Sequence, residues 1–419
     1  MATIKRDLRT GKSVWHERRV HHVAVHPLRR DLSTDVLVVG AGVSGALIAE
    51  LLAAANHHRV VIVDRRGVCK GSTAASTALV LYQIDEPLIR LARKIGETDA
   101  VRAWRRSHQA LQGLVARTRA LGIACGAERR DTLYLAGDLL NASGLRREAE
   151  ARRAAGLETA YLTSAALSDR FGISRAAALL GYGDLELDPR QLTVGHLRAA
   201  ERRGAKIYAP VDVTEVVTTA TYVHARTRAG PIIRCRHLIF ATGYELPKAV
   251  PTVGHRISST YAIATKRQPR RLWPERCFIW EAAHPYLYMR ATNEGRVIVG
   301  GEDEPFSDEA ARDALLPSKI EALRGKLAEL QPQLDTTPEF AWAGTFGDTD
   351  TGLPTIGEIP GLRNCWAVLG FGGNGITYSR LAAEIIGTAL AGGIDLDAEL
   401  YVPGSLEMSR RRRAKRLSV

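Results

Sequence analysis

Residues 34–64 read T-D-V-L-V-V-G-A-G-V-S-G-A-L-I-A-E-L-L-A-A-A-N-H-H-R-V-V-I-V-D. Asp35 to Val39 is a short, β-branched, apolar run, the pattern of a parallel strand covered on both faces. Gly40, Gly42 and Gly45 follow as G-x-G-x-x-G. From Val43 to Ala55 the residues are small or apolar helix formers, broken by Ser44 and Glu50. Arg59 to Val63 is a second β-branched run, and it ends on Asp64. Strand, glycine turn, helix, strand and an acid at about 20 residues' spacing together specify a dinucleotide-binding unit. Gly40 permits the tight turn, Gly42 lets a pyrophosphate approach the backbone, and Gly45 lets the helix pack close to the sheet. The helix N-terminus turns unpaired N–H groups towards the phosphates. Asp64 is placed to accept hydrogen bonds from a ribose diol, and an acid there argues against a 2′-phosphate and hence against NADP. Val36 to Ala55 is also long enough to span a bilayer, at about 20 residues. Three glycines, Glu50 and an immediately following strand argue against that reading. A signal peptide would need its apolar core nearer Met1.

A chain of 419 residues is too long for one small core, so two intertwined domains are expected. At 45% hydrophobic and 25% charged, the composition is that of an ordinary soluble globular protein. Cys69, Cys125, Cys235, Cys277 and Cys365 are dispersed, with no C-x-x-C. Such a set suggests reduced thiols in the cytoplasm, and no His/Cys cluster has metal-ligand spacing. The net charge of +13 is uneven. Residues 1–34 carry eight Lys/Arg against three acids, and Arg410 to Arg413, Lys415 and Arg416 form a second basic run. The body between is close to neutral. Basic ends can bind nucleic acid or anionic lipid. Solvated, disordered ends are the simpler expectation, and the absence of aromatic residues in the C-terminal run argues against nucleic acid.

Residues 1–34 read as an arm with Trp15 as its one large anchor, and 393–419 as a basic tail. The small, hydroxyl-rich segment 71–77 can lie over a pyrophosphate and donate from Ser72, Thr73, Ser76 and Thr77. Helical patterning runs from Glu86 to about Leu121, near 142–155 and 163–171, and from about Asp308 to Leu330. Asp188-Pro189 marks a helix start, with Asp188 as N-cap. Strand-like runs recur at 132–136, 206–209, 213–228, 232–236, 237–243, 261–265, 278–281, 286–290 and 296–300. Cys365 to Leu369 then runs into G-F-G-G-N-G-I-T (370–377), and a helix continues to about Leu390. This is a second strand–glycine–helix junction. Two such junctions suggest one extended ligand gripped at both ends, and FAD fits. The first junction takes the ADP half, and the second donates towards the pyrimidine edge of the flavin.

These residues resemble the FAD-dependent amine and amino-acid oxidases, the superfamily that contains D-amino acid oxidase, glycine oxidase and sarcosine oxidase. The 35–64 unit, D-P-R-Q-L (188–192), A-T-G-Y (241–244), W-A-G-T-F-G-D-T-D-T-G-L-P-T-I-G (342–357) and 370–377 are similar to the γ-glutamylputrescine oxidase branch. The resemblance implies an α/β architecture: a Rossmann-type FAD-binding domain (35–86, 184–246 and 341–392) interleaved with an α+β substrate domain (87–183 and 247–340) on a mostly antiparallel sheet. It implies FAD contacts from Gly40, Gly42, Val43, Ser44, Gly45, Asp64 and Arg65, and from the hydroxyls of 72–77. Val213, Thr242 and Gly243 would add to these, as would Gly372, Gly373, Asn374, Gly375, Ile376 and Thr377. Members with covalent flavin carry a cysteine near Gly344–Thr345, and this chain has none, which implies non-covalent FAD. Amino-acid oxidases carry a carboxylate-binding arginine near Phe346. Many relatives have histidine where this chain has Asn374.

The implied reaction is oxidation of a C–N bond of a small amine, with hydride passing to the flavin and oxygen as acceptor, giving peroxide. Lys266, Tyr286, Tyr288, Arg290 and Phe346 are the candidate substrate-pocket residues. A dehydrogenase passing electrons to a quinone or carrier protein, a flavoprotein acting on tRNA, and a non-catalytic FAD-binding subunit are the alternatives.

Overall fold

Four consecutive residues in each of Val36–Val39 and Val60–Val63 are buried, and their side chains alternate between two cores. Val36, Val38, Val60 and Ile62 face one side, and Leu37, Val39, Val61 and Val63 the other. A strand with apolar residues at both parities has to be central and covered on both faces. The computed structural model describes residues 2–55, 58–250 and 254–403 and places both strands in the middle of a seven-stranded sheet. The order is Val25–His26, Lys206–Tyr208, Val60–Val63, Val36–Val39, His237–Phe240, Cys365–Leu369 and Thr355–Glu358. All neighbours are parallel except the last pair. Helices Val43–Ala54, Pro189–Arg202 and Gly375–Leu390 cover one face. A four-stranded sheet containing Val213–Thr218, Val223–Thr227, Ile232–Cys235 and Leu32–Ser33 covers the other.

Asp188 starts its helix as expected, accepting from the backbone N–H groups of Arg190 (2.9 Å) and Gln191 (3.1 Å). Such a cap is worth about 1 kcal/mol. Glu50, the one charge in the apolar first helix, is buried and ion-paired with Arg117 (2.5 Å) and Arg203 (3.4 Å). The acid therefore joins helix Val43–Ala54 to helices Glu97–Ala120 and Pro189–Arg202.

The second large sheet has ten strands. It runs Arg9–Lys12, Pro338–Thr349, His255–Thr265, Val297–Glu304, Leu287–Ala291, Phe278–Glu281, Glu128–Leu135, Ala177–Glu186 and Leu79–Val80, with Thr159–Thr163 also on Ala177–Glu186. Its one parallel pair among the described residues is Phe278–Glu281 with Glu128–Leu135, so the sheet is mostly antiparallel as expected. Residues 79–80, 184–186 and 341–349 fall within the expected dinucleotide-binding segments, yet they form strands of this sheet. The helical pattern over 86–121 is two helices, broken at Gly96, whose φ of 94° ends the first.

The N-terminal segment departs most from its expectation. It is not a solvated tail: Arg9–Lys12, Val25–His26 and Leu32–Ser33 each add a strand to a different one of the three sheets. Edge addition satisfies backbone groups and requires little of the side chains, so a polar, basic sequence can do it. Trp15 is 5% exposed, and its Nε1 donates to the Ser76 carbonyl at 2.6 Å. The Ser13 hydroxyl donates to the Ala74 carbonyl at 2.5 Å. The arm thus clamps the 71–77 segment. The C-terminal basic run lies outside the described residues. Among the described residues, no helix is long and apolar enough to cross a membrane. Trp15→Ala should destabilise the protein by about 3–5 kcal/mol, as for other large buried aromatics, and lower its melting temperature in calorimetry. An unchanged melting temperature would show that the arm is not docked.

Candidate functional site

The three glycines of the first junction have three distinct steric jobs. Gly40 has φ 123°, and a Cβ there would lie 2.2 Å from the Ala241 carbonyl oxygen. A Cβ on Gly45 would lie 1.9 Å from the Gly40 carbonyl oxygen, so only glycine lets the helix sit on the turn. At Gly42 a Cβ would meet only the Thr73 hydroxyl, at 3.0 Å, which leaves this backbone facing open space. The Thr73 hydroxyl accepts from the Val43 N–H at 3.0 Å. The Ser44 hydroxyl is turned to Ser379 at 2.7 Å, so Ser44 can offer a ligand its backbone but not its side chain.

The Asp64 carboxylate accepts from three backbone N–H groups: Ala41 (2.8 Å), Arg66 (2.7 Å) and Gly67 (2.8 Å). It ties the glycine turn to the end of the second strand and still faces the cleft. Arg65 and Arg66 are both paired with Glu245, Arg66 at 2.7 Å. Val213, Thr242 and Gly243 line the same end of the cleft, and the Thr242 hydroxyl donates to the Glu245 carbonyl at 2.7 Å.

From there one continuous cleft, enclosing about 1800 Å³ out to its open mouth, runs past Ser72–Thr77 to the second junction at 372–377. The side chains expected to donate there are engaged instead with the segment that follows strand Leu79–Val80. Asn374 Nδ2 donates to the Gln83 carbonyl at 2.8 Å, and the Thr377 hydroxyl to the Leu81 carbonyl at 2.7 Å. Donors to a ligand at this junction are therefore the N–H groups of the first turn of helix Gly375–Leu390, which lack intrahelical partners. Three polar atoms of cleft-lining residues, Ser72 Oγ, Trp280 Nε1 and Asn374 Oδ1, are buried without a partner among the described residues. Buried polar groups are rarely left unsatisfied, so all three mark a wall built to meet a polar ligand.

Beyond the second junction the wall comes from the ten-stranded sheet. Tyr286, Tyr288 and Phe346 line it, as expected. Two expected residues do not. Lys266 follows the end of strand His255–Thr265 and is exposed, outside the cleft. Arg290 is 3% exposed and points into a separate small cavity beside Trp15 and Glu186. Its Nη1 donates to the Ala78 (2.6 Å) and Leu187 (3.3 Å) carbonyls, and Nη2 sits 3.4 Å from Glu186. Burial pulls its guanidinium down to about 10. Arg290 is a structural cation tying three segments together.

The sequence reading missed Asp85, Tyr244, Trp280 and Phe371, all on the cleft wall. Asp85 Oδ2 accepts from the Gly373 N–H at 2.6 Å, so the carboxyl lies against the second glycine turn. Burial is the main cause that pushes it up to about 6, with Asp348, Asp303 and Glu86 adding to the rise. No motif marks the stretch Q-I-D-E-P (83–87); only the pairing of two distant segments does. Burial likewise raises the phenols of Tyr244, Tyr286 and Tyr288 well above their usual range, so all three are neutral, hydrogen-bonding rings.

The family profile described as FAD dependent oxidoreductase (DAO) matches residues 35–388. The chain belongs to this family. Proteins of similar sequence include the γ-glutamylputrescine oxidoreductase of Escherichia coli K12, 27% identical over 242 residues, which span 56% of this chain and 53% of that protein. They also include the glycine oxidase of Geobacillus kaustophilus, 24% identical over 366 residues, or 84% and 91% of the two chains. The crystal structure of L-proline dehydrogenase from P. horikoshii superposes with a TM-score of 0.74 at 19% identity, covering 92% of this chain and 99% of that one. The chain is therefore an FAD-dependent oxidoreductase. Gly45→Ala would force the helix off the turn, since backbone cannot yield 1 Å or more without strain. The purified variant should carry less than about a tenth of the wild-type flavin, a cost of 1.4 kcal/mol or more. Unchanged flavin content would show that the contact is not rigid.

Proposed function

We propose that this chain oxidises a C–N bond of an amine that carries no carboxylate next to the reacting carbon, using non-covalently bound FAD. One observation carries the reading. Among the described residues lining the cleft, the cationic side chains are Arg65 and Arg66, both at the first-junction end and both paired with Glu245. The wall at the second junction offers rings and a carboxyl group, and a carboxylate substrate needs a charge-assisted, preferably bidentate, partner. Phe346, on the wall and 6.3 Å from the Tyr244 ring, cannot supply one.

In this reading the seven- and four-stranded sheets hold the cofactor and the ten-stranded sheet supplies the substrate wall. Asp64 accepts from the ribose, the N–H groups at Gly42–Ser44 and the Ser72 hydroxyl face the pyrophosphate, and the first turn at 375–377 faces the pyrimidine edge. All five cysteines are buried and none lines the cleft, which supports non-covalent binding. When bound, FAD supplies the two-electron acceptor for the hydride leaving the carbon next to nitrogen. The chain's own contribution is to hold the neutral amine against Tyr288 and Phe346 and to exclude water from the reacting carbon. The imine product then takes up water to give a carbonyl compound and an amine. Oxygen is the proposed final acceptor, leaving as hydrogen peroxide.

Asp64→Ala should weaken FAD binding by about 1.5–3 kcal/mol, measured by titrating the apoprotein. Unchanged affinity would remove Asp64 from the ribose site. The reaction itself is tested by anaerobic mixing. Putrescine derivatives and N-alkyl amines should bleach the flavin at least about tenfold faster than glycine, sarcosine or D-alanine, with peroxide released when air is admitted. Faster bleaching by the free amino acids would overturn the reading.

A further inference from the structure

Asp85 has one hydrogen-bonding partner, the Gly373 N–H, and no basic side chain within ion-pair distance among the described residues. Two of its acidic neighbours are ion-paired. Glu86 is bridged by Arg90 (2.8 Å) and Lys94 (2.7 Å), and Asp348 by Arg256 (3.1 Å). Asp85 is the carboxyl that lines the second-junction end of the cleft, and it does so without a cation among the described residues. The rings of Tyr244, Tyr286, Tyr288, Trp280, Phe346 and Phe371 line the same end. Tyr286 and Tyr288 lie 5.5 Å apart, and Tyr244 lies 6.3 Å from Phe371.

Asp303 provides separate evidence. Its Oδ1 is buried and has no hydrogen-bond partner. The carboxyl accepts hydrogen bonds from the side chains of Tyr286 and Thr260, both on the cleft wall, and these leave Oδ1 unmet. A buried, unpartnered carboxylate oxygen costs free energy unless something positive meets it. Ring faces attract the same kind of group. One carboxyl on the wall at this end, a second carboxyl behind that wall and a set of aromatic faces thus favour a cation there.

We propose that Asp85, with Asp303 behind the ring of Tyr286, holds a positively charged nitrogen of the substrate that does not itself react, so that the enzyme selects diamines and larger polyamines. The reacting nitrogen has to be neutral to release a hydride from its neighbouring carbon. The ion-paired nitrogen is therefore a second one, and a substrate with a single nitrogen cannot fill both places. This rests on the amine reading above and adds to it which amines are taken.

The holoenzyme, its flavin first reduced anaerobically with dithionite so that it can accept no hydride, is titrated with putrescine, butylamine and acetate at about pH 8, two units above the Asp85 value of about 6, following the perturbation of the flavin absorbance. This measures binding, not turnover. Putrescine should bind with a midpoint at least about tenfold below that of butylamine, and acetate should bind more weakly than either. Asp85→Asn keeps an acceptor for the Gly373 N–H and removes the charge; it should raise the putrescine midpoint about tenfold or more. An unchanged midpoint in Asp85→Asn, or tighter binding of acetate than of putrescine, would overturn the proposal. Should that variant not fold, the wild type decides: putrescine and its uncharged N,N′-diacetyl derivative binding equally would overturn it as well. Asp85-dependent binding of putrescine without flavin bleaching by any amine would uphold the cation site and reject amine oxidation. Bleaching by amines with no dependence on Asp85 would do the reverse.

Discussion

The contact on which the rest depends is backbone against backbone, where helix Val43–Ala54 rests at Gly45 on the carbonyl of Gly40. With no Cβ at 45, the helix approaches the strand end closely enough to aim its first turn at the cleft. The unpaired N–H groups and partial positive charge of that turn are then fixed in place before any ligand arrives. Asp64 locks the same turn from the other side through its bonds to Ala41, Arg66 and Gly67. The second junction uses the same physics. Asn374 and Thr377 tie helix Gly375–Leu390 to the carbonyls of Gln83 and Leu81, which frees its first-turn backbone, rather than its side chains, to meet a ligand. The N-terminal arm completes the frame by fixing residues 74 and 76 through Ser13 and Trp15.

Local chemistry explains what could be read directly. The glycine junctions, the Asp188 cap and the central strands are each written within a few consecutive residues, and each was found where the sequence put it. What was missed depends on distant pairing. The arm has no periodicity because its strands are two to four residues long and contribute mainly backbone. The Asn374 and Thr377 side chains looked free because their partners lie some 290 residues earlier in the chain. Arg290 shows the limit of strand logic. It shares a parity with Tyr286 and Tyr288, so it lies on their side of the sheet. It also lies two residues beyond Tyr288, about 7 Å farther along, and that distance takes it out of the cleft and into the polar cavity at Glu186.

Exchanging Arg290 for Asp85 as the charged group at the substrate wall reverses the sign of that wall. A buried guanidinium would have welcomed a carboxylate; a carboxyl raised by burial and by its acidic neighbours repels one. The aromatic residues then have a consistent role, since neutral rings raise the attraction for a cation and exclude water at the same time. Family membership alone would leave amines and amino acids equally open. The distribution of charge along one cleft is what supports the amine reading proposed above.

The most direct test of the account is a crystal structure of the FAD-reconstituted protein, read for the direction in which the cofactor lies. The account predicts the adenosine ribose at Asp64, the pyrophosphate over Gly42–Ser44 and the ring system against 372–377, with Tyr288 and Asp85 on its open side. A cofactor lying in the opposite direction, or a ring placed outside the cleft towards Lys266, would contradict it.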